Sequence, residues 1–344
     1  MHMADALISP AVGGAMWAAT AGLIVYSSKK VKDDLDDRKI PLMGVLGAFI
    51  FAAQMINFTI PATGSSGHLG GGMILAILLG SPAAFLTMAS VLTVQALFFA
   101  DGGLLALGCN IFNLGFFPCF VAYPFAYKKI VGNKPTRGRI MIGALIAAIA
   151  SLQMGAFCVV LQTLFSGISE LPFGTFVLLI QPIHLAIGLV EGFATAAVVL
   201  FVWRARPEIL SSAVTSLPIG KFSIRRVLIG FLVAAVVIGG VLSWFASVHP
   251  DGLEWAMFKT AGIEELESPE KGLHASLADI QDKTAFLPDY GVKASTTKKE
   301  EGEHQSWPAV DPETSVSGLV GGVLTLFLAL FIGLALKRRK GTEA

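Results

Sequence analysis

The stretch that decides the fold is IMIGALIAAIASLQMGAFCVVLQ, residues 140–162, which contains no charged side chain. An uncharged apolar run of this length can cross the hydrocarbon core of a bilayer, which is about 30 Å thick. Over the whole chain, 54% of the residues are hydrophobic and 14% are charged, whereas a soluble domain carries about 25% charged residues. The sequence therefore predicts an all-α integral membrane protein, because helices in lipid satisfy their own backbone hydrogen bonds.

Eight apolar stretches are long enough to be predicted as membrane spans. They lie near residues 10–27, 41–60, 83–100, 103–127, 139–166, 175–203, 225–247 and 317–336. A shorter apolar helix is predicted near residues 70–80, and if it also crosses the membrane the total is nine.

Lysine and arginine are concentrated in four segments, 28–40, 128–139, 204–226 and 337–340. Basic residues next to membrane spans favour the cytoplasmic side. With nine spans all four segments lie on that side, whereas with eight spans the first segment lies opposite the other three. We therefore expect about nine spans, with the N-terminus outside and the C-terminus inside.

A polar linker at residues 206–224 divides the chain into two predicted domains. Residues 1–205 are predicted to form a seven-helix bundle. Residues 225–344 are predicted to form a two-span domain with a hydrophilic outside segment at 248–316. Composition leaves open whether that segment is a small folded domain or a partly disordered loop. The net charge of +1 argues against a nucleic-acid partner.

The first two residues, Met1 and His2, are the first candidate site. The α-amine, the His2 amide nitrogen and the His2 imidazole Nδ1 can chelate one metal ion together, through a five-membered and a six-membered ring. A deprotonated amide enforces a near-planar arrangement, which suits Ni(II) or Cu(II). We expect Met1 to remain in the protein, because the initiator methionine is normally removed only before a small residue.

A second candidate ligand, His68, lies in the glycine-rich loop GSSGHLGGG at residues 64–72. With nine spans, this loop shares the outer face with His2. Because glycine lets another backbone approach closely, we expect an inserted N-terminal strand to pack beside His68. Two histidines on one face favour a divalent transition-metal site. The alternative is a mobile polar loop whose histidine binds nothing.

Polar residues inside the predicted spans are further candidates. Glu191 is one, because an ionisable group within the membrane is costly, and His184 lies on the same helix face about two turns away. Asn110 and Asn113, one turn apart below Asp101, are predicted to line the floor of a site near the outer face. For the amide side chains in general, we predict hydrogen bonds between helices.

The same glycine-rich loop also suggests an enzyme. Gly64-Ser65-Ser66-Gly67 fits the G-x-S-G pattern of intramembrane serine proteases, with Ser66 as nucleophile and His184 as base. The sequence has no P-loop for ATP, because Phe222 follows Lys221 where Ser or Thr must contact magnesium. Any energy for pumping is therefore expected from a partner chain or an ion gradient.

Several ordered segments are distinctive. They are Met1-His2-Met3-Ala4-Asp5, residues 63–72, Ala100-Asp101-Gly102-Gly103, Leu107-Gly108-Cys109-Asn110 and residues 184–192. Together they resemble the M-type substrate-binding component of nickel/cobalt energy-coupling-factor (ECF) transporters, over about residues 1–205. The second domain resembles the small N-type component, with the motif PDGLEW at residues 250–255. The chain therefore resembles a fusion of the M-type and N-type components.

This resemblance implies a metal held in a square plane of nitrogens. The implied ligands are the amine of Met1, the amide nitrogen and imidazole of His2, and the imidazole of His68. Residues expected around this site or along the pathway are Asp5, Ser66, Asp101, Asn110, Asn113, His184 and Glu191. The bound ion, Ni2+ or Co2+, is then the transported substrate, and no enzymatic cofactor is expected. The planar nitrogen site favours nickel over cobalt.

The resemblance also implies partners and a location. The M-type component acts with a membrane-scaffold T component and two cytoplasmic ATPases, within the cell membrane of a bacterium or archaeon. The chain itself is then a transporter subunit and not an enzyme. The alternative within transport is a gradient-driven metal permease that acts alone.

Overall fold

A computed structural model describes most of the chain. The described residues are 2–34, 36–132, 134–168, 171–215, 218–220, 222–262, 266, 269, 271–292 and 307–337. Met1, a predicted metal ligand, lies outside the described residues.

The described residues are mostly helical, which confirms the predicted class. In chain order the elements are α1 (Pro10–Asp34), α2 (Lys39–Gln54), β1 (Phe58–Ile60), β2 (Ser65–Gly67), α3 (Gly72–Leu79), α4 (Ser81–Phe99), α5 (Leu107–Ile111), a π-helical stretch (Phe112–Tyr127), α6 (Lys128–Val131), α7 (Arg137–Ser166), α8 (Phe173–Ala205), α9 (Pro207–Thr215), α10 (Arg225–Gly240), α11 (Gly252–Ala261), α12 (Leu273–Thr284) and α13 (Pro312–Leu336). Short 3-10 turns occur at Asp5–Leu7, Leu242–Phe245 and Pro288–Tyr290.

Six helical segments among the described residues are long and apolar enough to cross a membrane. They are Pro10–Asp33, Ser81–Phe99, Leu107–Val131, Arg137–Ser166, Phe173–Ala205 and Pro312–Leu336. Helices α2 and α10 have 16 residues each, and α3 has 8. The chain is therefore a multi-pass membrane protein, while the count of nine spans and the outside N-terminus remain predictions.

The first predicted span, 10–27, extends to Asp34 as helix α1, and three further spans are shortened, shifted or irregular. The span predicted at 41–60 ends at Gln54, and an antiparallel hairpin follows in which Phe58 pairs with Gly67. The span predicted at 103–127 begins at Leu107 and is π-helical from Phe112. Pro118 and Pro124 lie in this stretch, and each lacks an N–H donor for the α-helical ladder. The span predicted at 225–247 ends at Gly240.

The predicted linker at 206–224 is partly helical. Helix α9 occupies Pro207–Thr215 and contacts α3 and α8. Proline suits the first position of a helix, where its missing N–H has no partner to lose. At the α3–α4 junction the contact is close, because a Cβ added at Gly80 would lie 3.2 Å from the carbonyl oxygen of Ala213. The linker is thus packed against the first domain.

The two predicted domains pack together through α2, α10 and α13. A Cβ added at Gly321 of α13 would lie 1.9 Å from the ring of Phe51 on α2. A Cβ added at Gly318 would lie 2.4 Å from the carbonyl oxygen of Gly239 on α10. Small residues at helix contacts let backbones approach in membranes. These glycines therefore allow the close packing of α13 on both neighbours.

Segment 248–316 contains two described helices that pack over the end of the bundle where the N-terminal segment lies. Helix α11 begins with a capping box, in which the Asp251 carboxylate accepts from the backbone N–H of Glu254 at 2.9 Å and Glu254 accepts from that of Asp251 at 2.9 Å. From α12, His274 Nε2 hydrogen-bonds the Ile8 carbonyl at 2.8 Å, and Gln281 donates to the Gly102 carbonyl at 2.8 Å. This part of 248–316 is therefore folded against the first domain.

Candidate metal-binding site

The structure brings the two candidate histidines into contact. The imidazole rings of His2 and His68 are stacked, with centroids 5.0 Å apart and planes inclined by 10°. The two residues come from different parts of the chain, the N-terminal segment before α1 and the loop after β2. The N-terminal segment therefore packs beside His68 as predicted, although residues 2–4 form no β-strand.

The N-terminal segment is held by hydrogen bonds to the loop and helix that follow α4. Asn110 accepts from the Met3 amide at 2.8 Å and donates to the Met3 carbonyl at 3.2 Å. The Asp5 carboxylate accepts from the amide of Ala106 at 2.9 Å. A Cβ added at Gly103 would lie 1.9 Å from Asp5 Oδ1, so this position has room only for glycine. These contacts fix the backbone that carries His2.

The loop that carries His68 is held from below by Glu191. The two Glu191 carboxylate oxygens accept from the amides of Gly70 at 2.7 Å and Gly71 at 3.2 Å. Gln54 of α2 donates to the Gly70 carbonyl at 2.8 Å. Gly71 has φ of 75°, a left-handed conformation that glycine adopts without strain. Glu191 thus has a partner for each of its oxygens and acts on the loop backbone.

Each imidazole has a polar contact at Nδ1. His2 Nδ1 lies 3.2 Å from Asp101 Oδ1, and His68 Nδ1 lies 3.0 Å from the carbonyl oxygen of Leu69. His2 Nε2 is buried and has no hydrogen-bond partner among the described residues. Burial lowers the pKa of His2 to about 3 and that of His68 to about 4. Both rings are therefore neutral at pH 7, which is the form that binds metal.

Tyr290, from segment 248–316, reaches this site. Its hydroxyl donates to Asp101 Oδ2 at 2.5 Å and accepts from Gln95 Nε2 at 3.4 Å. Gln95 donates in turn to Gln54 Oε1 at 2.9 Å. The Tyr290 ring stacks on Phe99, with centroids 5.1 Å apart. One hydroxyl is therefore linked to His2 through Asp101, and to the His68 loop through the two glutamines.

The backbone at Tyr290 is unusual. Asp289 and Tyr290 have φ values of 50° and 60°, in the left-handed region that costs an ordinary residue about 1–3 kcal/mol. Strain of this kind persists only where surrounding contacts over-determine it. Here the contacts are those with Asp101, Gln95 and Phe99. Sequence reasoning missed Tyr290, because no motif surrounds it and its partner Asp101 is 189 residues away.

Ser66 connects the hairpin to the PDGLEW motif. Its amide donates to the Pro250 carbonyl at 2.8 Å, and its hydroxyl donates to the His249 carbonyl at 2.8 Å. A hydroxyl that donates to a backbone carbonyl is not activated by a base. His184 Nδ1 hydrogen-bonds the Ile180 carbonyl at 2.8 Å, within its own helix. These contacts give Ser66 and His184 structural positions and no nucleophile–base pair.

The remaining polar candidates lie beneath the histidine pair. Asn113 exchanges hydrogen bonds with Gln162 of α7, at 2.8 and 3.1 Å, as predicted for amides between helices. Asn113 Nδ2 also lies 3.9 Å from Met3 Sδ. His184 lines a small cavity together with His68 and Asp251. The structure therefore brings all the described candidates to one end of the bundle, around or just below the rings.

A cleft of about 630 Å3 opens above the rings, and its lining includes His2, His68, Asp101, Asp251 and Tyr290. Carboxylates on the walls of a cleft favour cations. Among the described residues, no group of three or more His, Cys, Asp or Glu side chains is arranged to hold a metal ion. The predicted chelate needs only two side chains, because its other two donors are backbone nitrogens.

The sequence matches two family models. Residues 2–209 match the cobalt uptake substrate-specific transmembrane region, and residues 225–338 match the PDGLE domain. A putative fused nickel transport protein of Archaeoglobus fulgidus is 30% identical over 349 residues, covering 98% of each chain. A putative metal transport protein of Haloquadratum walsbyi is 35% identical over 212 residues, covering 61% of this chain and 93% of the relative.

Solved structures agree with these matches. The crystal structure of a truncated transition metal transporter is 28% identical, with a TM-score of 0.53, and covers 60% of this chain and 99% of the other. The fold and these matches together place the chain in a class of multi-pass membrane proteins that transport nickel or cobalt. The chain belongs to the cobalt uptake substrate-specific transmembrane family, as an M-type component fused to an N-type component.

Proposed function

We propose that this chain is the substrate-capture subunit of an ATP-driven ECF importer, with Ni(II) favoured over Co(II). The ion is held by the Met1 amine, the His2 amide and imidazole, and the His68 imidazole. The observation that carries this proposal is the stacked pair of neutral rings, His2 and His68, on two rigidly held backbone segments. Residues 1–205 form the metal-binding domain, and residues 225–344 form the N-type domain.

Metal capture then exchanges one partner of His2 for another. The chelate uses His2 Nδ1, which contacts Asp101 in the structure. When Nδ1 turns to the metal, the Asp101 carboxylate keeps its hydrogen bond from Tyr290. It remains close enough to balance the positive charge of the complex. Tyr290 thus gives Asp101 a second partner and favours the metal-bound arrangement.

The N-type domain organises the site in this proposal. It contacts the Asp101 side through Tyr290 and the His68 hairpin through Pro250 and His249. Both contacts end within the cleft above the rings. The domain therefore acts as a support that holds both ligand-bearing segments in register.

Nickel preference follows from the donor set. A deprotonated amide with three further nitrogens gives a strong, planar field, which favours Ni(II) over Co(II).

The partners proposed are a membrane-scaffold component and two ATPases. Helix α1 has an outer face of small residues that includes Gly14, Ala18 and Gly22, and all three are exposed. A Cβ added at Gly14 or Gly22 would meet nothing within 4 Å. Small residues spaced by four allow close helix packing in membranes. This face supports lateral docking of a scaffold helix.

Metal analysis of purified variants tests the site. His2→Ala removes one chelate arm and is expected to abolish high-affinity nickel binding. His68→Ala is expected to weaken it less, because water can take the fourth position. His249→Ala, which changes another histidine of the same cleft, is the matched control and is expected to bind normally. A yellow, diamagnetic nickel complex would support the square plane, and equal mild losses in the first two variants would refute it.

Nickel uptake by cells tests the energy source. Uptake is expected to require both ATPases and the scaffold component. Uptake that persists without the ATPases would favour a gradient-driven permease. No reaction is proposed for Ser66 and His184, because the Ser66 hydroxyl donates to a backbone carbonyl and His184 bonds within its own helix. Ser66→Ala changes only the packing of the loop and is expected to reduce uptake at most in part.

A further inference from the structure

A second cavity lies at the opposite end of the bundle from the histidine pair. It measures about 130 Å3, far above the roughly 10–15 Å3 that one water molecule requires. Helix α1 runs from Pro10, near the histidines, to Asp34, and Lys30 near its far end lines this cavity. The cavity is therefore separated from the metal site by most of the thickness of the bundle.

The lining is basic. Lys30, Lys39 and Lys128 contribute ammonium groups from three separate elements, and none of the described residues that line the cavity is acidic. Two carboxylates in the turn after α1 have partners elsewhere. Asp36 accepts from the amide of Ile219 at 2.8 Å, and Asp37 pairs with Lys337 at 2.8 Å. Lys39 Nζ donates to the carbonyl oxygen of Ser212 at 3.4 Å. An anion in the cavity would reduce the repulsion between the like charges of Lys30 and Lys128.

A helix N-terminus also faces this cavity. The first residues of α4, Ser81, Pro82 and Ala83, line it. The free N–H groups and the dipole at the start of a helix favour an anion. Helix α4 has 19 residues, so its dipole is fully developed.

The buried hydroxyl of Tyr123 has no hydrogen-bond partner among the described residues, and this observation points to a ligand independently of the lysines and the helix N-terminus. Tyr123 lines the cavity and is 1% exposed. A buried donor without a partner destabilises the fold, and an anion in the cavity supplies the missing acceptor. The Lys128 ammonium lies 5.2 Å from the centroid of the same ring.

The Lys128 ammonium is anchored by one hydrogen bond and has further N–H groups that can bind an anion. Its Nζ donates to the carbonyl oxygen of Val214 at 3.2 Å, which uses one of three N–H groups. The anchor is the end of α9, so the linker between the two domains forms one wall of the cavity. This bond positions the ammonium beside Tyr123 and leaves it able to bind an anion.

We propose that this cavity binds a phosphate group, supplied by the headgroup of an anionic phospholipid. Several ammonium groups, a helix N-terminus and a phenol donor match the oxygens of a phosphate better than a single carboxylate. Lysine clusters at the membrane surface attract anionic lipids. The proposal does not depend on the metal site, which lies at the other end.

Binding of phosphatidylglycerol to the full chain tests the proposal. The protein is placed in phosphatidylcholine nanodiscs, titrated with phosphatidylglycerol and examined by native mass spectrometry. Lys128→Gln is expected to weaken saturable binding roughly tenfold, because one charge-assisted hydrogen bond is lost. Tyr123→Phe, which removes only the hydroxyl, is expected to weaken it severalfold. Lys129→Gln is the matched control, since Lys129 carries the same charge and does not line the cavity.

Inorganic phosphate is the second probe. Competition by inorganic phosphate would show that the phosphate group alone suffices, and binding of the lipid only would show that the bilayer anchor is needed. Equal losses in Lys128→Gln and Lys129→Gln would overturn the proposal, as would the absence of saturable binding. Nickel binding by each variant reports whether it is folded, so failure here is distinct from failure of the metal site.

Discussion

The phenol of Tyr290 and the carboxylate of Asp101 are joined by a 2.5 Å hydrogen bond, although 189 residues separate them in the chain. Asp101 uses its other oxygen to contact His2 Nδ1. The two domains of the fusion therefore meet one side chain away from a candidate metal ligand. This relationship gives the N-type domain a direct chemical route to the site.

Removal of the Tyr290 hydroxyl is the first test of that route. Tyr290→Phe keeps the ring that stacks on Phe99 and loses the hydrogen bond to Asp101. Asp101 then competes more strongly with the metal for His2, so nickel affinity is expected to fall roughly three- to tenfold. This loss is smaller than the full energy of a hydrogen bond to a charged group, about 1.5–3 kcal/mol, because Asp101 is not itself a ligand. Equilibrium titration with nickel measures the change. Tyr26→Phe, an exposed tyrosine on α1, is the control, and equal effects of the two substitutions would contradict this role.

A methyl group at Gly103 should disturb the N-terminal segment. Gly103→Ala places a Cβ 1.9 Å from Asp5 Oδ1, so Asp5 must leave the Ala106 amide. The backbone next to His2 then loses its fixed position, and nickel affinity is expected to fall by about tenfold or more. Gly138→Ala makes the same change where nothing lies within 4 Å. Unchanged nickel affinity in Gly103→Ala would show that the segment needs no such anchor.

Proton release on nickel binding should identify the donors. Burial lowers the pKa values of His2 and His68 to about 3 and 4, so both imidazoles are already neutral at pH 7 and release nothing. The protons released near pH 7 must come from the Met1 amine and the His2 amide, a total of about two per ion. Affinity is therefore expected to rise with pH through this range. Calorimetry in buffers of different ionisation enthalpy gives the number, and a value near zero would exclude amide ligation.

The free N-terminus is the remaining test. One glycine added before Met1 converts the amine into an amide and moves His2 to third place. The chelate then supplies four nitrogens of its own and leaves no position for His68. Nickel uptake is expected to be lost with any N-terminal tag and kept with a tag after Ala344. Cleavage that restores a native Met1 should restore binding, and full binding by the uncleaved form would place the metal elsewhere.

The sequence predicted the parts of the site that rest on local chemistry. The contact of His2 with His68 followed from their shared face and from the glycines beside His68. The hydrogen bonds between Asn113 and Gln162 followed from the cost of a buried amide. Tyr290 could not be predicted, because its role depends on how a hydrophilic segment folds back over the bundle. Composition sets the polarity of such a segment and leaves its docking undetermined.

The positions of the helices could likewise be predicted from the sequence, whereas their local geometry could not. The length of the apolar stretches was enough to locate the spans. The π-helical geometry of Phe112–Tyr127 depends on how the chain rearranges around Pro118 and Pro124. The tertiary packing of neighbouring helices decides between a kink and wide turns. Similarly, helix α9 in the linker depends on its contacts with α3 and α8.

The packed linker at 206–224 also determines stoichiometry. An N-type protein made as a separate chain must find its partner by diffusion, and its occupancy then depends on the expression of both. Here α8 and α10 are joined through α9, so the encounter of Tyr290 with Asp101 is intramolecular. A short tether gives an effective concentration of the order of millimolar. Each candidate metal site therefore carries its own support in a fixed one-to-one ratio, whatever the abundance of the protein in the cell.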